Sequence, residues 1–168
     1  MAIEVHPAIV KNLVWPDEAQ TQAFAQALAR RIQAIGAELD ARIELHGDLG
    51  SGKTTLVRHL LGALGVAGRI KSPTYAVVEP YGVTLTSGAP LNIWHFDFYR
   101  FNDPDEWEDA GFRDIFANPG LKLMEWPDKA GAHLPAPDLS VQISLGEQDE
   151  RRVSVGAFSP TGVALLAP

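Results

Sequence analysis

Along this chain of 168 residues, apolar positions recur in two rhythms, and the order of the rhythms sets the expected fold. Phe24, Leu28, Ile32 and Ile35 fall at helical spacing just after Trp15-Pro16-Asp17. Asp17 is placed to cap that helix, with Gln20 three residues on, and Gly36 is a natural stop. Between Arg42 and His46 the period drops to two, with Ile43 and Leu45 on one side, which predicts a short strand. From Lys53 to about Leu64 the helical period returns through Leu56, Val57, Leu60, Leu61 and Leu64. Tyr75 to Tyr81 and Leu91 to Phe98 read as strands joined by a turn at Thr86-Ser87-Gly88. Asp103-Pro104, with Glu106 three residues after Asp103, opens another predicted helix. Leu121 to Trp126 is a compact apolar strand closed by Pro127. After the proline-rich stretch from Leu134 to Pro137, the runs Val141 to Leu145 and Arg151 to Phe158 predict a C-terminal β-hairpin.

Strand–helix alternation followed by hairpins points to the α/β class, a mixed β-sheet flanked by helices. The length fits one domain over residues 1–168. A chain of this size buries about two-thirds of its unfolded surface, so its core needs no metal or disulfide staple. Composition then excludes function classes. With 14 lysines and arginines against 21 aspartates and glutamates the net charge is −7. Such a surface gains little from counterion release, so independent binding of RNA or DNA is not expected. The absence of cysteine removes disulfides, thiolate metal sites and cysteine nucleophiles. No signal-peptide pattern opens the sequence, and no apolar run approaches the roughly 18 residues that span a bilayer. A cytoplasmic protein with no membrane association is the reading.

One motif carries chemistry. Gly47-Asp48-Leu49-Gly50-Ser51-Gly52-Lys53-Thr54 fits the phosphate-loop pattern G-x-x-x-x-G-K-[ST], and it lies between a predicted strand and a predicted helix as its mechanism requires. Glycines let the backbone wrap with its amide hydrogens inward, and the helix N-terminus adds a positive end. Lys53 would reach the β- and γ-phosphates, and the Thr54 hydroxyl can ligate magnesium. The bland alternative is a helix that happens to follow a glycine-rich turn. A phosphate loop also needs an acid at the end of a neighbouring strand. Asp97 after Ile93-Trp94-His95-Phe96 and Glu125 after Leu121-Lys122-Leu123-Met124 both qualify, and the residues alone do not choose between them. Either could instead be an exposed strand-end charge. Trp126, beside Glu125, is placed to touch a nucleotide. Asp128 to Gly131 fits the D-x-x-G pattern of GTPases, but no N-K-x-D guanine-reading motif accompanies it.

Taken in order, Gly47 to Thr55, Lys71-Ser72-Pro73-Thr74-Tyr75, Val78-Glu79-Pro80-Tyr81, His95-Phe96-Asp97-Phe98-Tyr99-Arg100 and Glu125-Trp126-Pro127 closely resemble the bacterial TsaE family, formerly YjeE. The resemblance runs from about Trp15 to Leu145 and leaves the C-terminal hairpin without a matching motif. It departs slightly, with Ser51 where alanine is common, Phe98 and Phe101 where leucine is common, and Met124 before the glutamate. The resemblance implies a phosphate-loop NTPase-like fold and a magnesium-dependent ATPase in the synthesis of N6-threonylcarbamoyladenosine at tRNA position 37. The family's partner is the TsaD–TsaB complex, which transfers the threonylcarbamoyl group, so tRNA contact would run mainly through that complex. By the same resemblance, residues Gly47, Asp48, Leu49, Gly50, Ser51, Gly52, Lys53, Thr54, Thr55, Thr74 and Trp126 would bind ATP or ADP, with Ser72 and Thr74 in a switch-like segment. Lys53, Asp97 and Glu125 would be catalytic, with Thr54, Glu125 and Asp97 serving magnesium.

An obvious arginine finger is missing; Arg100 is the candidate, with an ordinary ion-pair role as its alternative. A missing charge predicts weak hydrolysis by the chain alone and stimulation by a partner. The acidic run Asp103, Asp105, Glu106, Glu108 and Asp109 reads as a solvated helix face or a docking surface. His46 and His95 flank the nucleotide motifs and read as satisfying local hydrogen bonds, while Trp94 and Trp107 read as core or interface bulk. Two other functions compete: a phosphate-loop small-molecule kinase, and a nucleotide switch whose ATP-bound form holds a partner.

Overall fold

The computed structural model describes residues 6–68, 70, 77–101 and 111–166. The predicted helix at Asp103-Pro104, the acidic run with Trp107, and the segment carrying Ser72 and Thr74 lie outside them. Seven strands are described: β1 (Ile9–Trp15), β2 (Ala41–His46), β3 (Val78–Thr84), β4 (Pro90–Asp97), β5 (Leu121–Glu125), β6 (Leu139–Leu145) and β7 (Arg151–Ala157). The helices are α1 (Glu18–Ile35), α2 (Lys53–Ala63), α3 (Phe112–Ala117) and α4 (Pro160–Leu166). The seven strands form one mixed sheet in the order β1-β7-β6-β2-β5-β4-β3. The four central strands β6, β2, β5 and β4 run parallel, and antiparallel pairs close both edges. The α/β class, the flanking helices and the C-terminal hairpin of β6 with β7 are as expected, and the arrangement is that of a phosphate-loop NTPase-like fold.

Local chemistry explains where elements start and stop. Asp17 caps α1 by accepting a hydrogen bond from the Gln20 amide at 3.2 Å, and Gly36 ends the helix at φ 76°. β5 is buried at all five positions, as a central parallel strand covered on both faces must be. Its side chains therefore divide between two cores. Leu121 and Leu123 join an aliphatic core with Ile43, Leu45, Leu56, Leu60, Leu28 and Ile32, roofed by α1, α2 and α4. Met124 joins an aromatic cluster on the opposite face, with Phe96, Phe98, Phe101, Phe112 and Phe116. Burying each such side chain contributes about 1.5–3 kcal/mol. Lys122 on that same face is fully buried and bonds Asp40 at 2.8 Å.

Three of these elements were not predicted: β1 precedes the first helix, α3 lies between β4 and β5, and α4 follows the hairpin. β3 runs three residues beyond the expected end at Tyr81 and carries Pro80, which an edge strand tolerates because its outer side needs no ladder bond. Among the described residues, no helix is long and apolar enough to cross a membrane.

Candidate nucleotide-binding site

The site lies at the C-terminal ends of the parallel strands, where β2 passes into α2 through residues 47–52. Gly47 sits at φ 147°, and a β-carbon there would lie 2.4 Å from the Ile143 carbonyl oxygen and 2.5 Å from Ser51 Oγ. Only glycine fits that approach. Gly52 occupies the left-handed region at φ 113° as the cap of α2 and offers no side chain to the first turn, so the helix begins with open amides. Ser51 Oγ is buried with no hydrogen-bond partner among the described residues.

Lys53 opens α2 and is 4% exposed. Its ammonium group donates to the carbonyls of Gly47 and Asp48, the latter at 3.0 Å, and lies 4.4 Å from the centre of the Trp126 ring. Burial pushes its pKa below the usual lysine value, opposed by the charges of Glu125, Asp97 and Asp48. Trp126 holds a left-handed backbone at φ 55° directly after β5, and Tyr99 packs on it with ring centres 5.0 Å apart.

The strand order settles where the two acids stand. β5 is hydrogen-bonded to β2 on one side and β4 on the other, and Asp97 pairs in register with Glu125. Glu125 is 2% exposed; Oε1 accepts from the Thr54 hydroxyl at 2.9 Å, and Oε2 meets His95 Nε2 at 2.6 Å. The exposed-charge alternative for Glu125 does not survive this geometry, and His95 makes its hydrogen bond to the neighbouring strand. Asp97 is partly buried, and its Oδ1 accepts from the Tyr99 amide at 3.0 Å. Its pKa is raised chiefly by burial; the Tyr99 amide opposes the shift and the Glu125 charge reinforces it.

These side chains line one cleft of about 330 Å³ that runs from Leu49 through Lys53, Thr54 and Thr55 to Asp97, Glu125 and Trp126. It gathers the loop from Leu49 onward, both acids and the tryptophan singled out in the sequence, while Gly47 and Asp48 do not line it; Thr74 lies outside the described residues. Arg100 is exposed and does not line it. Arg151, read in the sequence only as part of a hairpin, does: its Nε donates to the Ser51 carbonyl at 2.8 Å and a guanidinium nitrogen to the Asp149 carbonyl at 2.8 Å. No signal within one strand could have announced a contact between residues so far apart. Arg151 and Thr55 also border a second cleft of about 160 Å³, with Trp15, Asp17 and Thr21.

The chemistry of this arrangement is legible from its donors. A glycine-rich loop, a helix N-terminus and a lysine are the parts from which an anion cradle is made. A hydroxyl and two carboxylates are hard oxygen ligands of the kind magnesium takes. Among the described residues no group of three or more His, Asp or Glu is placed to hold a metal ion by itself.

The family model described as Threonylcarbamoyl adenosine biosynthesis protein TsaE matches residues 15–153. The chain belongs to the TsaE family. It is 37% identical over 152 residues to the tRNA threonylcarbamoyladenosine biosynthesis protein TsaE of Haemophilus influenzae, covering 90% of this chain and 92% of that one. The protein of the same name from Bacillus subtilis is 32% identical over 152 residues, covering 88% of this chain and 87% of its own length. The crystal structure of YdiB from Bacillus subtilis superposes with a TM-score of 0.70 at 26% identity, covering 94% of this chain and 93% of that one. The TsaE match stops short of α4, the last helix.

Proposed function

We propose that this chain is the ATP-binding and ATP-hydrolysing component of tRNA N6-threonylcarbamoyladenosine synthesis at position 37, supporting the TsaD–TsaB transferase complex in the cytoplasm. The observation that carries the reading is the convergence of Lys53 and Thr54 with Asp97 and Glu125 in one cleft of a TsaE-family chain. Residues Gly47 to Thr55, with Trp126 and Thr74, bind ATP or ADP. Lys53 exchanges the carbonyls of Gly47 and Asp48 for the β- and γ-phosphates, a trade that the nearby acids favour by keeping the amine charged. Thr54, Glu125 and Asp97 would hold magnesium, which when bound neutralises charge developing on the phosphoryl oxygens. Asp97, one strand further out than Glu125, orients the attacking water.

Phosphoryl transfer asks mainly for positioning and charge neutralisation, and these groups supply both. Arg151 is already bonded to the loop carbonyl of Ser51, and Arg100 is exposed outside the cleft, so the isolated chain turns over slowly and its partner raises the rate. The test is phosphate release from ATP by the chain alone, then with TsaD–TsaB and tRNA added. A rise in rate is expected. No rise, together with no physical association, overturns the role. Labelled phosphate appearing on a metabolite rather than as free phosphate would make the chain a kinase instead.

A further inference from the structure

β4 alternates Leu91, Ile93, His95 and Asp97 toward the helix-covered face, and the first two belong to the aliphatic core. His95 takes the next inward position and is fully buried. An aliphatic side chain would fill that place without burying polar atoms. His95 instead buries two ring nitrogens and satisfies one: Nε2 reaches Glu125 Oε2 at 2.6 Å, while Nδ1 has no hydrogen-bond partner among the described residues. Leaving a buried nitrogen unpaired costs stability, so the histidine is poorly explained by packing alone. Its one bond goes to the carboxylate that faces the phosphate loop.

We infer that His95 is a positioning residue that fixes the rotation of the Glu125 carboxylate, so that Oε1 stays aimed at Thr54 and the phosphate cleft. The inference rests on the nucleotide-binding reading above and adds to it a residue outside the cleft lining. Glu125 has three side-chain torsions, and Thr54 is its other holding partner. When the Thr54 hydroxyl turns to a metal or a phosphate, the bond from His95 is, among the described residues, the hydrogen bond that still holds the carboxylate. Outer partners of ligating carboxylates act in this way, by orienting a group they do not replace.

Three variants separate this role from packing. The side-chain amide of glutamine reaches as far as histidine Nε2, whereas that of asparagine reaches only as far as Nδ1. His95→Gln should therefore keep the bond, and His95→Asn and His95→Leu should lose it. The readouts are calorimetric affinity for ADP with and without Mg2+, and kcat and KM for ATP in the presence of TsaD–TsaB and tRNA. Without Mg2+, all three variants should bind ADP within about twofold of the parent. The Mg2+-dependent gain in affinity, and kcat, should fall about 10- to 100-fold in His95→Asn and His95→Leu and recover in His95→Gln. If His95→Leu fails to fold, the two amides decide the matter. Equal behaviour of Gln and Asn variants, whether both normal or both impaired, overturns the inference while leaving the nucleotide-binding reading intact. A parent protein that binds no ADP under either condition overturns that reading itself, and this inference with it.

Discussion

At the end of β5, Glu125 is withdrawn from solvent and bonded through both oxygens, to Thr54 on α2 and to His95 on β4. One strand away, Asp97 stands in register with it, partly exposed and bonded to the single amide of Tyr99, two residues on in its own chain. The first acid is set by three separate elements, the second by its own turn. Burial is the largest cause of the raised Asp97 pKa, and the Tyr99 amide opposes it. Two carboxylates a strand apart thus contribute differently to the folded protein. Glu125 is part of the scaffold as well as the site, while Asp97 is held at some expense to stability.

The sharpest break of that contrast is Glu125→Ala. We expect phosphate release to fall about a hundredfold or more. Stability should fall by about 1–3 kcal/mol in urea unfolding, because His95 Nε2 and the Thr54 hydroxyl lose their partner. Unchanged stability would mean that the two bonds do not hold the scaffold. Asp97→Asn should reduce phosphate release more than about tenfold, in line with a positioned group acting on water. It should also raise the unfolding temperature at neutral pH, by no more than about 3 °C in a chain of this size. The sign follows from linkage: a carboxyl whose pKa is higher folded than unfolded binds more protons when folded, so ionising it weakens the fold as pH rises. The gain from Asp97→Asn should therefore vanish below the ordinary aspartate value of 3.8, as thermal melts across pH will show. A destabilised variant at neutral pH would put Asp97 on the same footing as Glu125. Because the two acids repel in register, the double variant Asp97→Asn with Glu125→Gln should depart from additivity in urea unfolding by about 0.5 kcal/mol or more. The smallest effect is expected at Phe98→Leu, next to Asp97 in the chain, where the aromatic cluster should repack with a loss under about 1.5 kcal/mol and little change in rate.

What the chain spells out locally was legible, and what depends on neighbours was not. The strand, loop and helix from Arg42 to Leu64 could be read because period two, glycine spacing and helical period follow one another without interruption. Asp17 and Gly36 could be read because caps act within one turn. β1 escaped notice because it is an edge strand: Val10 and Val14 are exposed and Leu13 only half-buried, which erases the alternation. α4 is too short for a helical period to stand out. Asp97 and Glu125 were recognisable as strand-end acids, but their register needed the order β2-β5-β4, which no single strand encodes. For the same reason His95 read only as satisfying local hydrogen bonds and Arg151 only as part of a hairpin. Their partners, Glu125 and Ser51, come from other elements altogether.

The position of β2 at the middle of the sheet also sets a timetable. Its partners are β5, with Ala41 opposite Leu121, and β6, with Ile43 opposite Leu139. Both are made long after β2 during synthesis, and such distant pairings form slowly. Only glycine fits at position 47 against the Ile143 carbonyl, and Arg151 closes onto Ser51 from the next strand. A nascent chain that has emerged only as far as α2 therefore contains the whole phosphate motif but none of the walls that shape it. On the proposed function, nucleotide capture would be a late event in biogenesis, and a sensitive report that the last hairpin has reached its place.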